Sequence, residues 1–279
     1  MKKLTLVISC VFLLTSFVAP LAWGAEDEVI VSIVEARAKT KTFALPSAKL
    51  PDLTVEKAYA LQKKLAGVLV ANGNPIAGFK AGLTSAPAQK KFGVNAPLLG
   101  PLFTKGERKP GAALKSGDYV KLFVENEIGY VVGKEISQPV KDVDALKKMI
   151  KALVPAIELP DLRFGDLKNL KGTDIIVDAV ASAGFIVGAP TALDKVDVNK
   201  VAVTMTLDGK AINKGTGTDA LGDQWKALLW LVNGVVKQGW SIKPGQILIT
   251  GALGRMLPGK PGKYEVDFGS LGKIAFSIQ

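Results

Sequence analysis

The chain has 279 residues, 48% of them hydrophobic, with a formal charge of +11, no histidine and one cysteine, Cys10. The absences exclude a Ser-His-Asp triad and any zinc or copper centre built on histidine and cysteine, leaving oxygen ligands for metals and Glu, Asp, Lys or Tyr for proton transfer. The basic balance favours anionic ligands, but the lysines are scattered and not interleaved with aromatics, so no nucleic-acid surface is expected.

Residues 1–24 read as an export signal. Lys2 and Lys3 precede an apolar run over 4–19, and Ala22 and Gly24 are the small residues of a cleavage site before Ala25. An uncleaved anchor and lipidation at Cys10, within Val7-Ile8-Ser9-Cys10, are the alternatives. The apolar run is shorter than the roughly 20 residues of a membrane span. The expectation is therefore a periplasmic or secreted protein with no stable membrane insertion after cleavage. What remains is long enough for one domain with a large core.

Residues 25–53 show no clear pattern and read as an irregular arm. The spacing of Val55, Ala58, Leu61, Leu65 and Val68 predicts a helix over 54–72, capped by Thr54 and ended by Gly73. Residues 74–118 are rich in glycine and proline and read as loop. A strand is expected over 119–132, then a short helix marked by Leu146, Met149, Ile150 and Leu153 and stopped by Pro155, then a buried strand over 156–159. Residues 201–207 run as a strand into the Asp208-Gly209 hairpin signal. A second helix is expected over 224–237, followed by strands over 246–250, 264–268 and 273–278. The mixture is α+β, strand-dominated in its second half.

Three glutamates stand out. On one strand Glu125 and Glu127 share a face, about 7 Å apart along it. They form either a solvated polar face or a site whose repulsion a cation relieves. Glu158 falls in an apolar strand, where an unpaired carboxylate is costly. Either Arg163 pairs with it, or all three glutamates converge on one divalent cation, Mg²⁺ or Mn²⁺ before Ca²⁺. Lys80, between Gly78 and Gly82, is either a surface lysine or a proton carrier beside that site. The segment Thr250-Gly251-Ala252-Leu253-Gly254 is a plain turn or a backbone cradle for a carboxylate. Pro261 rules out a phosphate-binding loop at 254–261, and 215–222 lacks dinucleotide-site glycine spacing.

Taken together, Lys80-Ala81-Gly82-Leu83-Thr84-Ser85, Phe92-Gly93-Val94, Glu125-Asn126-Glu127, Pro155-Ala156-Ile157-Glu158 and Ile247 to Gly254 resemble the 2-keto-4-pentenoate hydratase/4-oxalocrotonate decarboxylase family of the fumarylacetoacetate hydrolase superfamily. The resemblance spans residues 54–279. It implies a mixed β-roll or sandwich with flanking helices, in a homo-oligomer. It implies Mg²⁺ or Mn²⁺ on Glu125, Glu127 and Glu158, a proton-shuttling Lys80, and a small anionic 2-oxo acid held near Thr84, Ser182, Thr250 and Gly251. The implied activity is that of a lyase, a hydratase or decarboxylase working through a metal-stabilised enolate. The chain departs from the hydratases at Leu98, where they carry aspartate, at Asp223-Gln224, where they read His-Pro, and at Ala179-Val180, where they read Asp-Asn. These departures are expected near the substrate, and they keep open a second reading, an exported protein that binds metal and oxo acid with little or no catalysis.

Overall fold

The computed structural model describes residues 24–279. The expected leader and Cys10 therefore lie outside the described residues, apart from Gly24. No helix among the described residues is long and apolar enough to cross a membrane.

The stretch expected to be irregular holds α1, Ala25–Lys39. It buries Val29, Ile30, Ile33 and Ala36, and Glu26, Asp27 and Glu28 sit at its positive end. Its pattern is hard to read because charges interrupt a stripe only four residues long. The second long helix, α2, spans Val55–Ala71, and the Thr54 hydroxyl accepts from the Lys57 N–H as its cap. Its buried face is Ala58, Leu61, Gln62, Leu65, Ala66 and Leu69, so Val55 stays exposed. Within 74–118, read as loop, lie β1, Ile76–Gly82, and β2, Leu98–Phe103. Glycine is a poor strand former, but here it permits close approach.

Phe123–Val132 is β3 and Ile150–Leu159 is β4. The helix expected around 146–153 is only Val143–Lys147, and Pro155 lies inside β4 rather than ending a helix. The Pro155 carbonyl accepts from Gly188. A strand residue's N–H points to the same side as its C=O, so the missing N–H faces that edge and costs the β3 pairing nothing. Next come β5, Gly184–Val187, and the hairpin of β6, Ala202–Leu207, with β7, Lys210–Thr216. Asp208 and Gly209 both have positive φ, the turn that their sequence predicts. The third long helix, α3, is Gln224–Lys237, followed by β8, Ile247–Ile249, β9, Gly262–Asp267, and β10, Lys273–Ile278.

The strands form two sheets. The larger runs β2-β1-β8-β3-β4-β5, with a short edge strand at Glu107–Arg108 beside β5 and another, Leu257–Pro258, paired with the start of β3. The smaller runs β10-β9-β6-β7, with Ala113–Leu114 beside β10. One face of the large sheet, through Val124, Ile128 and Tyr130, shares a core with α3 and the smaller sheet. The other face carries the site, flanked by a second core built from α1, α2, Leu98 and residues 175–180.

Candidate active site

Strand pairing builds the site. Glu125 on β3 lies directly opposite Glu158 on β4, and Glu127, two residues on, is opposite Ala156. All three side chains therefore share one face. A carboxylate oxygen from each lies within 4.8 Å of the others. Glu127 and Glu158 are fully buried and Glu125 is half-buried. A solvated polar face is thus excluded. Arg163 is not the partner of Glu158, since it pairs with Asp161 at 3.1 Å.

The partner of Glu158 is Lys80, which reaches across from β1 and is itself buried. The Lys80 ammonium also donates to the Val180 carbonyl at 3.0 Å. Burial by itself would lower the Lys80 pKa, but Glu158, Glu125 and Glu127 together outweigh it and hold the lysine above its ordinary value. Burial pushes Glu125 up to about 8, and the Glu158 carboxylate opposite adds to the rise. Glu127 is raised well above the usual range by burial first, then by Glu158 and Glu125.

The trio is short of positive charge. Lys80 offers one ammonium against three carboxylates, and Glu127 Oε1 and Glu158 Oε2 are buried without a hydrogen-bond partner. Buried carboxylate oxygens that lack donors either take up protons or meet a cation. A hard divalent ion fits this donor set of three converging carboxylates with no nitrogen or sulfur.

The residues expected around the substrate divide. Thr84 and Gly251 meet beside Glu127. Gly251 has φ +111°, and a Cβ placed there would lie 2.4 Å from Thr84 Oγ1, so only glycine fits. Its N–H donates to Glu127 Oε2 at 2.6 Å. The Leu253 N–H serves the Asn126 carbonyl and the Gly254 N–H serves Asp219. The loop is therefore a carboxylate cradle whose carboxylate is Glu127 itself. The Thr250 hydroxyl turns away, donating to Gln224 Oε1 at 2.6 Å in the core. Ser182 is buried at the end of a turn that touches Lys80 through Val180.

That turn escaped sequence reasoning. Ala179, Val180 and Ala181 all have left-handed φ, at 52°, 55° and 56°. Such a conformation costs roughly 1–2 kcal/mol per non-glycine residue. The Val180 side chain lies over two glycines: a Cβ on Gly82 would meet it at 2.6 Å and one on Gly100 at 3.0 Å. Leu98 pairs with Gly82, and Gly100 with Lys80, so Leu98 shares the Lys80 face. Two departures from the hydratase pattern thus lie next to the lysine. The third does not: Asp223 caps α3 through Lys226, and Gln224 is a buried bridge between Tyr130, Thr250 and Gly217.

No family model matches the chain. The 2-keto-4-pentenoate hydratase of Paraburkholderia phymatum is 31% identical over 254 residues, covering 90% of this chain and 97% of that protein. A 4-oxalocrotonate decarboxylase from a Pseudomonas species is 30% identical over 226 residues, covering 81% and 87%. The chain belongs to the 2-keto-4-pentenoate hydratase/4-oxalocrotonate decarboxylase family. The fold of this family member agrees with a solved one, the Pseudomonas putida G7 4-oxalocrotonate decarboxylase complexed with magnesium and adipate. The two superpose with a TM-score of 0.85 at 24% identity, over 90% of this chain and 96% of that one. The mixed sheets and flanking helices expected from the family resemblance are what the chain adopts.

A groove of about 990 Å³ lies between the start of α2, residues 93–99 and α3, and Leu98 is common to it and to the wall beside Lys80. It is bordered by Val55, Leu229 and Trp230 and contains none of the three glutamates.

Proposed function

We propose that the chain is a metal-dependent lyase acting on a small 2-oxo acid, with Glu125, Glu127 and Glu158 holding Mg²⁺ or Mn²⁺ and Lys80 moving the proton. The observation that carries this reading is the buried trio with two carboxylate oxygens lacking donors. Held by these three carboxylates, a divalent cation would supply Lewis-acid polarisation of an oxo acid. Gly251 orients the Glu127 carboxylate. The Val180 carbonyl and Glu158 fix the Lys80 ammonium against the three glutamates. Anchored there, Lys80 would carry the proton to or from a substrate carbon.

The wall beside Lys80 bears on which reaction follows. Paired there are Gly82, Leu98 and Gly100, with Val180 over them, and none supplies a side-chain oxygen to orient water. Decarboxylation needs a proton but no added water, and it suits this wall better than hydration. The alternative of a binder without catalysis finds no support in the relatives named above, which are hydratases and decarboxylases. Export through the 1–24 leader and assembly into a homo-oligomer complete the reading, supported by the leader pattern and the family resemblance. Cell fractionation and native mass measurement test those two points.

The main test is proton exchange. Pyruvate or 2-oxopentanoate is incubated with the chain and Mn²⁺ in D₂O, and C3 deuteration is followed by NMR. The reading expects metal-dependent exchange that Glu127→Ala and Lys80→Ala abolish. Metal-dependent binding of the oxo acid with no exchange would overturn it.

A further inference from the structure

Residues 178–182 make one turn of left-handed helix, closed by the Ala181 N–H to the Asp178 carbonyl at 3.0 Å and the Ser182 N–H to the Ala179 carbonyl at 3.1 Å. Left-handed conformations of non-glycine residues persist only where their surroundings over-determine them. Here every carbonyl of the turn has a donor. Ala181 accepts from the Asp161 N–H at 3.1 Å, and Val180 accepts from Lys80. The two ends are held by one side chain, Arg37, from α1. Its Nη2 donates to the Asp178 carbonyl at 2.9 Å and its Nη1 to the Ser182 carbonyl at 2.9 Å. Its Nε donates to Asp178 Oδ1 at 2.8 Å. A planar guanidinium can satisfy three such acceptors at once, whereas an ammonium cannot match that fork. The Arg37 side chain is only 12% exposed, and the Asp178 side chain is fully buried.

The helix that carries Arg37 is far from Lys80 in sequence, and Arg37 touches none of the three glutamates. Its path to the site runs through the turn, whose central carbonyl holds the lysine. We infer that Arg37 is a positioning residue: it pins both ends of the left-handed turn and so sets where Lys80 delivers its proton. This rests on the reading of Lys80 as the proton carrier. It assigns a catalytic consequence to residues 25–53, which carry no group of the site itself.

The experiment compares wild type, Arg37→Ala and Arg37→Lys as full chains with Mn²⁺. It measures kcat and KM for C3 exchange, Mn²⁺ affinity by calorimetry, and the rate at which an amine-acylating reagent labels Lys80, read by mass spectrometry. A displacement of about 1 Å at a reacting group can cost on the order of 100-fold. The expected result is a fall in kcat of at least about tenfold in Arg37→Ala, with KM and Mn²⁺ affinity unchanged and Lys80 labelled faster. Millimolar guanidinium should reverse both effects. Arg37→Lys keeps the charge opposite Asp178 and should fold even if the alanine variant does not, yet it should remain slow because it cannot span both carbonyls. Unchanged kcat in a folded variant overturns the inference. So does a loss that guanidinium cannot restore and that KM and metal affinity share, since that marks general loosening. If wild type shows no exchange, the lyase reading fails first. The labelling arm still decides the clip: faster labelling reversed by guanidinium upholds it, and equal labelling rejects it.

Discussion

At the scale of single residues, two carboxyl groups of the site, Glu125 and Glu127, are held away from their ordinary ionisation by the fold. Glu125 titrates near 4.5 in an unfolded chain and at about 8 in the folded, metal-free one. The folded form therefore keeps an extra proton between those values. The stability this confers is fully present below pH 4.5 and is lost as pH rises through about 8. Glu127 is shifted in the same direction. Thermal melts across that window should show the metal-free protein losing stability toward alkaline pH. Saturating Mg²⁺ should flatten the slope, because metal binding displaces those protons. A flat metal-free profile would contradict the shifts. Gly251 is the second demanding residue. Gly251→Ala meets both a positive φ and the Thr84 side chain, so it should cost more than about 1 kcal/mol in denaturant melts and weaken Mn²⁺ binding by displacing the Glu127 donor. A tolerated alanine would show that the loop is not held as described. Leu98→Asp returns a polar group to the Lys80 face and should raise hydration of a 2-oxo-alkenoate over wild type, assayed by loss of alkene absorbance. No gain would mean that the wall does not select the reaction.

At the scale of elements, helix α1 has the least obvious role from sequence and one of the larger roles in structure. Ile33 is fully buried in the core that backs residues 175–180. Ile33→Ala should cost about 2–5 kcal/mol, measured by denaturant unfolding. A loss under about 0.5 kcal/mol would make the segment a loosely attached arm. The helices α2 and α3 were legible from apolar spacing, with the Thr54 cap on α2 and Gly73 and Gly239 following with positive φ; the Asp223 cap of α3 was found only in the structure. The β6–β7 hairpin was legible from Asp208-Gly209. β1 and β2 were not, because Gly78, Gly82 and Gly100 read as loop when they serve close packing against Ile247, Ala179 and Val180. Pro155 misled for a related reason, since its missing N–H falls where β4 has little use for it. Of the site, the glutamate spacing and Lys80 could be read along the chain. The left-handed turn and the Arg37 clip could not, because they exist only in tertiary contact.

At the scale of the molecule, the large sheet divides labour between its faces. One face packs an apolar core against α3 and the smaller sheet, giving β3 and β4 a rigid base. The other face gathers Lys80 from β1, Glu125 and Glu127 from β3, and Glu158 from β4 into one charged cluster. Sites on packed strands are held more precisely than sites on loops, and the loop groups used here, Gly251 and Val180, are each tied to the strands by hydrogen bonds. The central claim is that this cluster is a metal centre open to an oxo acid. The most direct measurement is anomalous diffraction from crystals grown with Mn²⁺ and oxalate. The account predicts a single strong manganese peak among Glu125, Glu127 and Glu158, with oxalate on its open side and Lys80 Nζ beside it. Ordered manganese only at other positions, with the three carboxylates still gathered around Lys80 alone, would contradict it.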